Sequence, residues 1–479
     1  MLFNSIDFAV FLPIVFALYW GVGGRSLARR NLILLAASYL FYGWWDWRFL
    51  GLLAFSTAVD YAVGLGLART DAPARRKGLL AVSLAVNLGL LGFFKYFNFF
   101  AQSFAEAFTL LGMPFTAERL HIVLPVGISF YTFQTLSYSI DVYRGHLKPA
   151  RDPIAFAAYV AFFPQLVAGP IERATNLLPQ FAAPRPFDRA KATDGLRQML
   201  WGLFKKVVIA DNCAPHVQAI FSDHAAYHAS TVALGAFLFG LQVYGDFSGY
   251  SDIAIGCARL FGFGLMRNFA YPLFARDIAE YWRRWNISVT TWFRDYVYVP
   301  LGGSRGPLAQ RIRNTLLVFT VSGLWHGPNW TFVAWGALHG LYFLPQLVLR
   351  TNRRFVGPIA PGRWLPSGGE ALRMVGTTAL VCIGHVFFLG TDMADVWSTL
   401  RHLASVSLLR APQIDAPALW PVIGLLFLLE WAARDDQHAL ERLGLGWRRP
   451  LRWTAYAALC FGILMYVRTD EVPFFYFQF

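Results

Sequence analysis

The feature that most constrains this chain is the recurrence of nearly uncharged apolar runs of about 17 to 22 residues, the length at which a helix crosses a bilayer core of about 30 Å. The first four occupy residues 6–22, 32–47, 50–67 and 79–94. Others follow at 122–140, 231–250, 331–348 and 371–389, with shorter ones at 156–167, 196–209, 253–263, 315–325, 418–431 and 454–467. In lipid, every backbone amide must find its partner within the chain, so each run reads as helix. Composition points the same way, with 56% hydrophobic residues and only 15% charged, against about a quarter charged in ordinary soluble proteins. The expectation is an all-α polytopic membrane protein, a single domain over residues 1–479. By length, roughly eleven to thirteen membrane segments are expected, including re-entrant or interfacial helices.

Net charge is +14. The basic residues cluster between apolar runs: Arg25, Arg29 and Arg30; Arg75, Arg76 and Lys77; Arg350, Arg353 and Arg354; Arg448, Arg449 and Arg452. That pattern is positive-inside topology with contact to anionic membrane lipids, not a nucleic-acid surface. Parity from the first basic loop puts both termini outside the cytoplasm. Residues 95–118 then form an external, Phe-rich interfacial segment. The run at 156–167 is short enough to be re-entrant or core. Lys205-Lys206 reads as a helix end at the interface, and Gly245-Asp246 as a link between the runs 231–250 and 253–263. The N-terminus lacks a basic stretch before its first run, so residues 8–22 read as a retained span. Cys213, Cys257, Cys382 and Cys460 are far apart, without zinc spacing, and read as small hydrophobes.

Within so apolar a chain, ionisable residues are expensive and mark function. Residues 276–286, Arg-Asp-Ile-Ala-Glu-Tyr-Trp-Arg-Arg-Trp-Asn, read as a charged helix lying on the cytoplasmic interface. His326 follows, in Ser322-Gly-Leu-Trp-His-Gly327, where an apolar run should simply continue. Imidazole is the usual general base at neutral pH and can also be acylated. Gly323 and Gly327 would leave room for a substrate to approach the backbone. The competing reading is a hydrogen-bonded core histidine. Asn286 reads on its own as a turn asparagine. His339 is not at the spacing of two ligands on one helix face, so no metal pair is expected; it either lines the site or bonds across helices. Asp246 and Asp252 bracket Phe-Ser-Gly-Tyr-Ser and either line a donor tunnel or hold basic partners, while Gly245, Gly249 and Gly256 permit close helix packing. Arg283, Arg284 and Arg294 would grip the phosphates of a nucleotide-bearing donor or those of lipid. No phosphate loop, nucleophile elbow, zinc-protease motif or dinucleotide fingerprint occurs.

These blocks carry a resemblance. Together with Leu124-Pro-Val-Gly-Ile-Ser-Phe-Tyr-Thr-Phe-Gln134, Phe163-Pro-Gln-Leu-Val-Ala-Gly-Pro170 and Gly245-Asp-Phe-Ser-Gly-Tyr-Ser-Asp-Ile-Ala-Ile-Gly256, the chain resembles the bacterial branch of the membrane-bound O-acyltransferase family, within it the membrane subunits of alginate O-acetylation. The resemblance runs the whole chain. It implies that His326 is catalytic and that Asn286 is its partner. It also implies acetyl-CoA as acyl donor with no permanently bound cofactor, an exported polysaccharide as acceptor, and an extracytoplasmic acetyltransferase as partner in a bacterial inner membrane. The aromatic tail at 474–479 resembles a motif in which a tyrosine hydroxyl carries the acyl group between enzymes, which makes Tyr476 a candidate relay; the alternative is an aromatic anchor for the last helix. D-alanyl transfer to teichoic acid, or acetylation of peptidoglycan or cellulose, would use the same chemistry. A transporter or export channel would explain the spans without catalysis, but should show paired repeat halves, and none is visible.

Overall fold

A computed structural model describes residues 1–113, 119–167, 169–468 and 474. It is helical throughout, with no strand among the described residues. Three helical stretches are long and apolar enough to cross a membrane: Arg48–Ala68, Pro73–Leu110 and Gly368–Leu389. Ile6–Val22, Pro153–Leu166 and Leu419–Ala432 are shorter apolar helices. The chain divides into two compact units, residues 1–192 with 257–266, and residues 193–256 with 267–479.

In the first unit, Leu27–Asp46 packs on Pro153–Ala161, and Arg48–Ala68 and Pro73–Leu91 pack on Ile128–Arg144. The short run at 156–167 is core. Residues 155–156 and 158–163 are buried, and the helix stops at Phe162 because Pro164 cannot donate the next amide. Residues 95–110 are helical. The helix does not end at Lys95 but runs on through a π-helical turn, Gly92–Tyr96, into Phe97–Leu110, which buries none of its residues. The aromatic-rich stretch prolongs the apolar helix that precedes it.

The second unit corrects two further readings. Residues 231–263 are not two runs joined at Gly245-Asp246. One helix, Ala229–Leu260, passes straight through them. Gly245 is there for close approach: a Cβ on it would lie 2.7 Å from the Lys205 carbonyl oxygen. Gly249 likewise faces the Gly202 carbonyl oxygen at 2.7 Å, and Gly256 meets that of Gly195. The partner stretch is equally continuous, Arg189–Leu203, then a π-helical turn Phe204–Ala210, then Asp211–Ser222. Lys205 and Lys206 therefore mark no interfacial end. They are 3% and 1% exposed and lie within the packed pair. Cys213 and Cys257 are buried as expected, whereas Cys460 is exposed.

Candidate active site

The site lies in the second unit and begins with the charged helix, Ile278–Arg284. Asp277 caps it by accepting from the Glu280 amide, and the Gln346 side chain accepts from the Ala279 amide. Its residues 278–282 are all buried, and Arg283 and Arg284 are half-buried. Glu280 is 1% exposed and holds Arg276 at 2.9 Å and Arg284 at 2.9 Å, one turn away on either side. An (i, i+4) ladder of this kind neutralises a buried carboxylate from both directions.

Asn286 follows in the left-handed region, φ 43° and ψ 54°, which asparagine tolerates better than most residues. The turn is fixed by Asn268, whose backbone oxygen accepts from the Ile287 amide and whose Oδ1 accepts from the amide and hydroxyl of Ser288. Asn286 itself is 2% exposed. Its Oδ1 is buried and has no hydrogen-bond partner among the described residues. Such an orphan costs stability and asks for a functional explanation.

His326 is the last residue of the helix Leu308–His326 and is 4% exposed. Its ring stands edge-on to Trp335, 5.0 Å between centroids, and to Phe388, 5.7 Å. Gly327 is extended, φ −165°, and the next helix, Trp330–Val348, starts at Asn329, whose side chain accepts from the Thr331 amide. The glycines here do not open a path for substrate. A Cβ on Gly323 would strike the Phe332 carbonyl oxygen, and one on Gly327 the Phe332 ring. They let the two helices close on each other, with Gly336 facing Gly323. The histidine is thus held by packing, not by a flexible glycine turn.

His339 joins this group. Its ring lies 4.9 Å from Trp335 and 5.2 Å from Trp282 of the charged helix. It is 1% exposed. Neither ring nitrogen of His339, nor Nε1 of Trp282, has a hydrogen-bond partner among the described residues. Trp335 therefore stands between two histidines, and the charged helix reaches the second of them. His385 sets its Nδ1 2.9 Å from the Ala236 carbonyl oxygen.

The remaining candidates lie elsewhere. Asp246 is an ion-pair partner of Lys206 at 2.7 Å, and Lys206 also meets Asp211 at 2.8 Å. Asp252 meets Lys205 at 2.6 Å and accepts from Gln198. Arg283 donates to the carbonyl oxygens of Asn352 and Phe355, and Arg284 to Glu280 and the Ala270 carbonyl. Burial lowers both guanidinium pKa values below the ordinary arginine range. Arg294 pairs with its neighbour Asp295 and leaves 59% of its side chain exposed. Tyr476 lies outside the described residues. Sequence reasoning missed Lys205, Lys206, Glu280 and Trp335 as parts of the architecture; the signal available was charge inside apolar runs, which alone does not say what pairs with what.

A family model described as MBOAT, the membrane-bound O-acyltransferase family, matches residues 146–384, which contain Asp246, Asp252, Arg283, Arg284, Asn286, Arg294, His326 and His339. A probable alginate O-acetylase of Azotobacter vinelandii is 42% identical over 83% of this chain and 77% of its own length. One from Pseudomonas putida is 38% identical over the whole of both chains. A peptidoglycan O-acetyltransferase of Helicobacter pylori is 36% identical over 71% of this chain and 69% of its own.

Proposed function

The chain belongs to the membrane-bound O-acyltransferase family, and on that premise we propose that it moves an acetyl group from cytoplasmic acetyl-CoA through the membrane to a hydroxyl of an exported polysaccharide. It is a multi-pass membrane O-acyltransferase. Alginate is the proposed acceptor, on the strength of two relatives named for it. The peptidoglycan relative supports an alternative acceptor for the same chemistry.

His326 takes the proton of the accepting hydroxyl as its oxygen attacks the thioester carbonyl. The carbon–sulfur bond breaks, and the proton passes to the departing thiolate. Asn286 orients the imidazole or polarises the carbonyl. The observation that carries this assignment is Asn286, whose buried oxygen lacks a partner and whose backbone sits in the left-handed region. Of the three arginines, Arg294 has an exposed side chain and is the proposed contact for donor phosphate. The first acceptor of the acetyl group is Tyr476, and a separate extracytoplasmic transferase collects it there for the polymer. The chain sits in the inner membrane with both termini outside, by the distribution of its basic loops.

The test is one complementation series in a strain lacking this gene, read as ester content of the exported polymer. Asn286→Ala should lower it by about 10²-fold, the effect of losing one polarising group. Tyr476→Phe should abolish it with protein level unchanged. Full acetylation by Asn286→Ala removes Asn286 from the mechanism, and full acetylation by Tyr476→Phe leaves the tail as an anchor.

A further inference from the structure

The second unit holds an apolar cavity that the chemistry at His326 does not use. Its volume is about 760 Å³, within the range of about 300–1,000 Å³ in which proteins hold small ligands. Four elements wall it: Ala229–Leu260, Pro272–Phe274, Gly368–Leu389 and Leu419–Ala432. Apart from the Thr378 hydroxyl, the side chains in the wall are hydrocarbon or sulfur-bearing. Val375 and Ile383 are exposed there, so the cavity is open along Gly368–Leu389. A smaller cavity, about 30 Å³, shares Phe237, Leu273, Thr378 and Cys382 with it and reaches Tyr281 and Trp285. Trp285 is the residue before Asn286.

The surroundings decide what fills this space. Gly368–Leu389 is long and apolar enough to cross a membrane. Met374, Thr378 and Cys382, and beside them Val375, Ala379 and Ile383, all line the cavity. These are two rows at four-residue spacing, one face of that helix. The open side therefore meets lipid hydrocarbon. Water gains nothing in an apolar void, and an empty one forfeits the dispersion contacts of its lining. A hydrocarbon chain restores them. A place for a head group adjoins. Leu408, in the wall, belongs to a short turn, Val406–Leu409, whose Val406 and Leu409 are exposed. Arg410 follows, exposed and with no carboxylate partner among the described residues. Apolar side chains followed at once by an unpaired cation suit the membrane interface, where the cation attracts lipid phosphate. Arg449–Tyr466 makes the contrast: it buries none of its residues and presents a bare helix, against which lipid only lies.

We propose that this cavity is a binding site for one anionic glycerophospholipid, with an acyl chain lying between Phe237 and Ile383 and the phosphate at Arg410. The lipid is neither donor nor acceptor of the acetyl group. Its chain fills the space behind Tyr281 and Trp285 and supports the turn that holds Asn286.

The experiment uses the full-length protein in nanodiscs and a phosphatidylglycerol carrying a photoreactive diazirine on one acyl chain. Cross-linked peptides are mapped by mass spectrometry. Labelling of residues 374–383 should saturate and be competed by unlabelled phosphatidylglycerol, while labelling of Arg449–Tyr466 should rise in proportion to lipid without saturating. Ala379→Trp fills the cavity from an exposed position and should abolish the saturable labelling. Val375→Trp should do the same, and serves if Ala379→Trp fails to accumulate. Arg410→Ala should weaken competition by about fivefold, the effect of one basic residue at an anionic surface. Leu464→Trp, on the bare helix, should leave the saturable labelling intact. Labelling of residues 374–383 that never saturates, or that survives both tryptophan substitutions, means bulk lipid only and overturns the proposal. So does capture of a second copy of the chain at Ile383 in place of lipid.

Discussion

Two helix pairs in the second unit are built on the same seam and end in opposite chemistry. In one, the stretch around residues 195–210 lies against residues 240–256, with glycine facing glycine at Gly202 and Gly249. In the other, Leu308–His326 lies against Trp330–Val348, with Gly323 facing Gly336. The first pair buries two lysines and gives each a carboxylate. The second pair carries His326, with His339 packed against the same tryptophan, and leaves the ring nitrogens of His339 without hydrogen-bond partners among the described residues. Glycine seams are therefore architecture in both. What differs between them is the kind of buried polar group: lysines paired with carboxylates in the first, imidazoles packed among aromatic rings in the second.

Breaking the charge pairing of the first pair should have the largest effect. Lys206→Ala leaves Asp211 and Asp246 buried side by side without their shared cation, a loss of about 3–5 kcal/mol. The expected outcome is failure to accumulate in the membrane, checked by immunoblot. Normal accumulation would mean that the pairs do not hold this fold together. Gly336→Val probes the seam of the second pair. The added side chain would meet the Phe319 carbonyl oxygen, and overpacking of this kind costs about 1–3 kcal/mol. Thermal unfolding in detergent should fall measurably while some activity survives; an unchanged midpoint would show that the helices part easily. The smallest effect is expected from Arg294→Ala, which touches neither seam. Stability should stay within about 0.5 kcal/mol of the parent, while the KM for the acetyl donor rises. An unchanged KM would remove Arg294 from donor binding.

Much of this was legible in the sequence, for a physical reason. Lipid forces backbone hydrogen bonding into helices, so run length alone gives the class of fold. The Trp-His-Gly context of His326 and the run around Asn286 stood out because polar residues are costly there. What was not legible is pairing. Lys205 and Lys206 looked like an interfacial end because nothing local reveals that Asp246 and Asp252, on another helix, lie opposite them. The charged helix looked amphipathic, since its neutralisation through Glu280 and its cap from Gln346 depend on contacts distant in sequence. Gly323 and Gly327 looked like access for substrate, because a glycine's partner is invisible until the facing helix is placed.

On the proposed function, the second helix pair is the reaction site and the first is packing alone. The most direct measurement is acetyl ester content of the exported polymer with His326→Ala, alongside membrane accumulation of the variant. Loss of a general base should lower transfer by about 10²–10⁴-fold, with protein present at the parental level, in contrast to Lys206→Ala, where the protein itself should be missing. Near-parental acetylation by His326→Ala would contradict the claim and return His326 to the core as a packing residue.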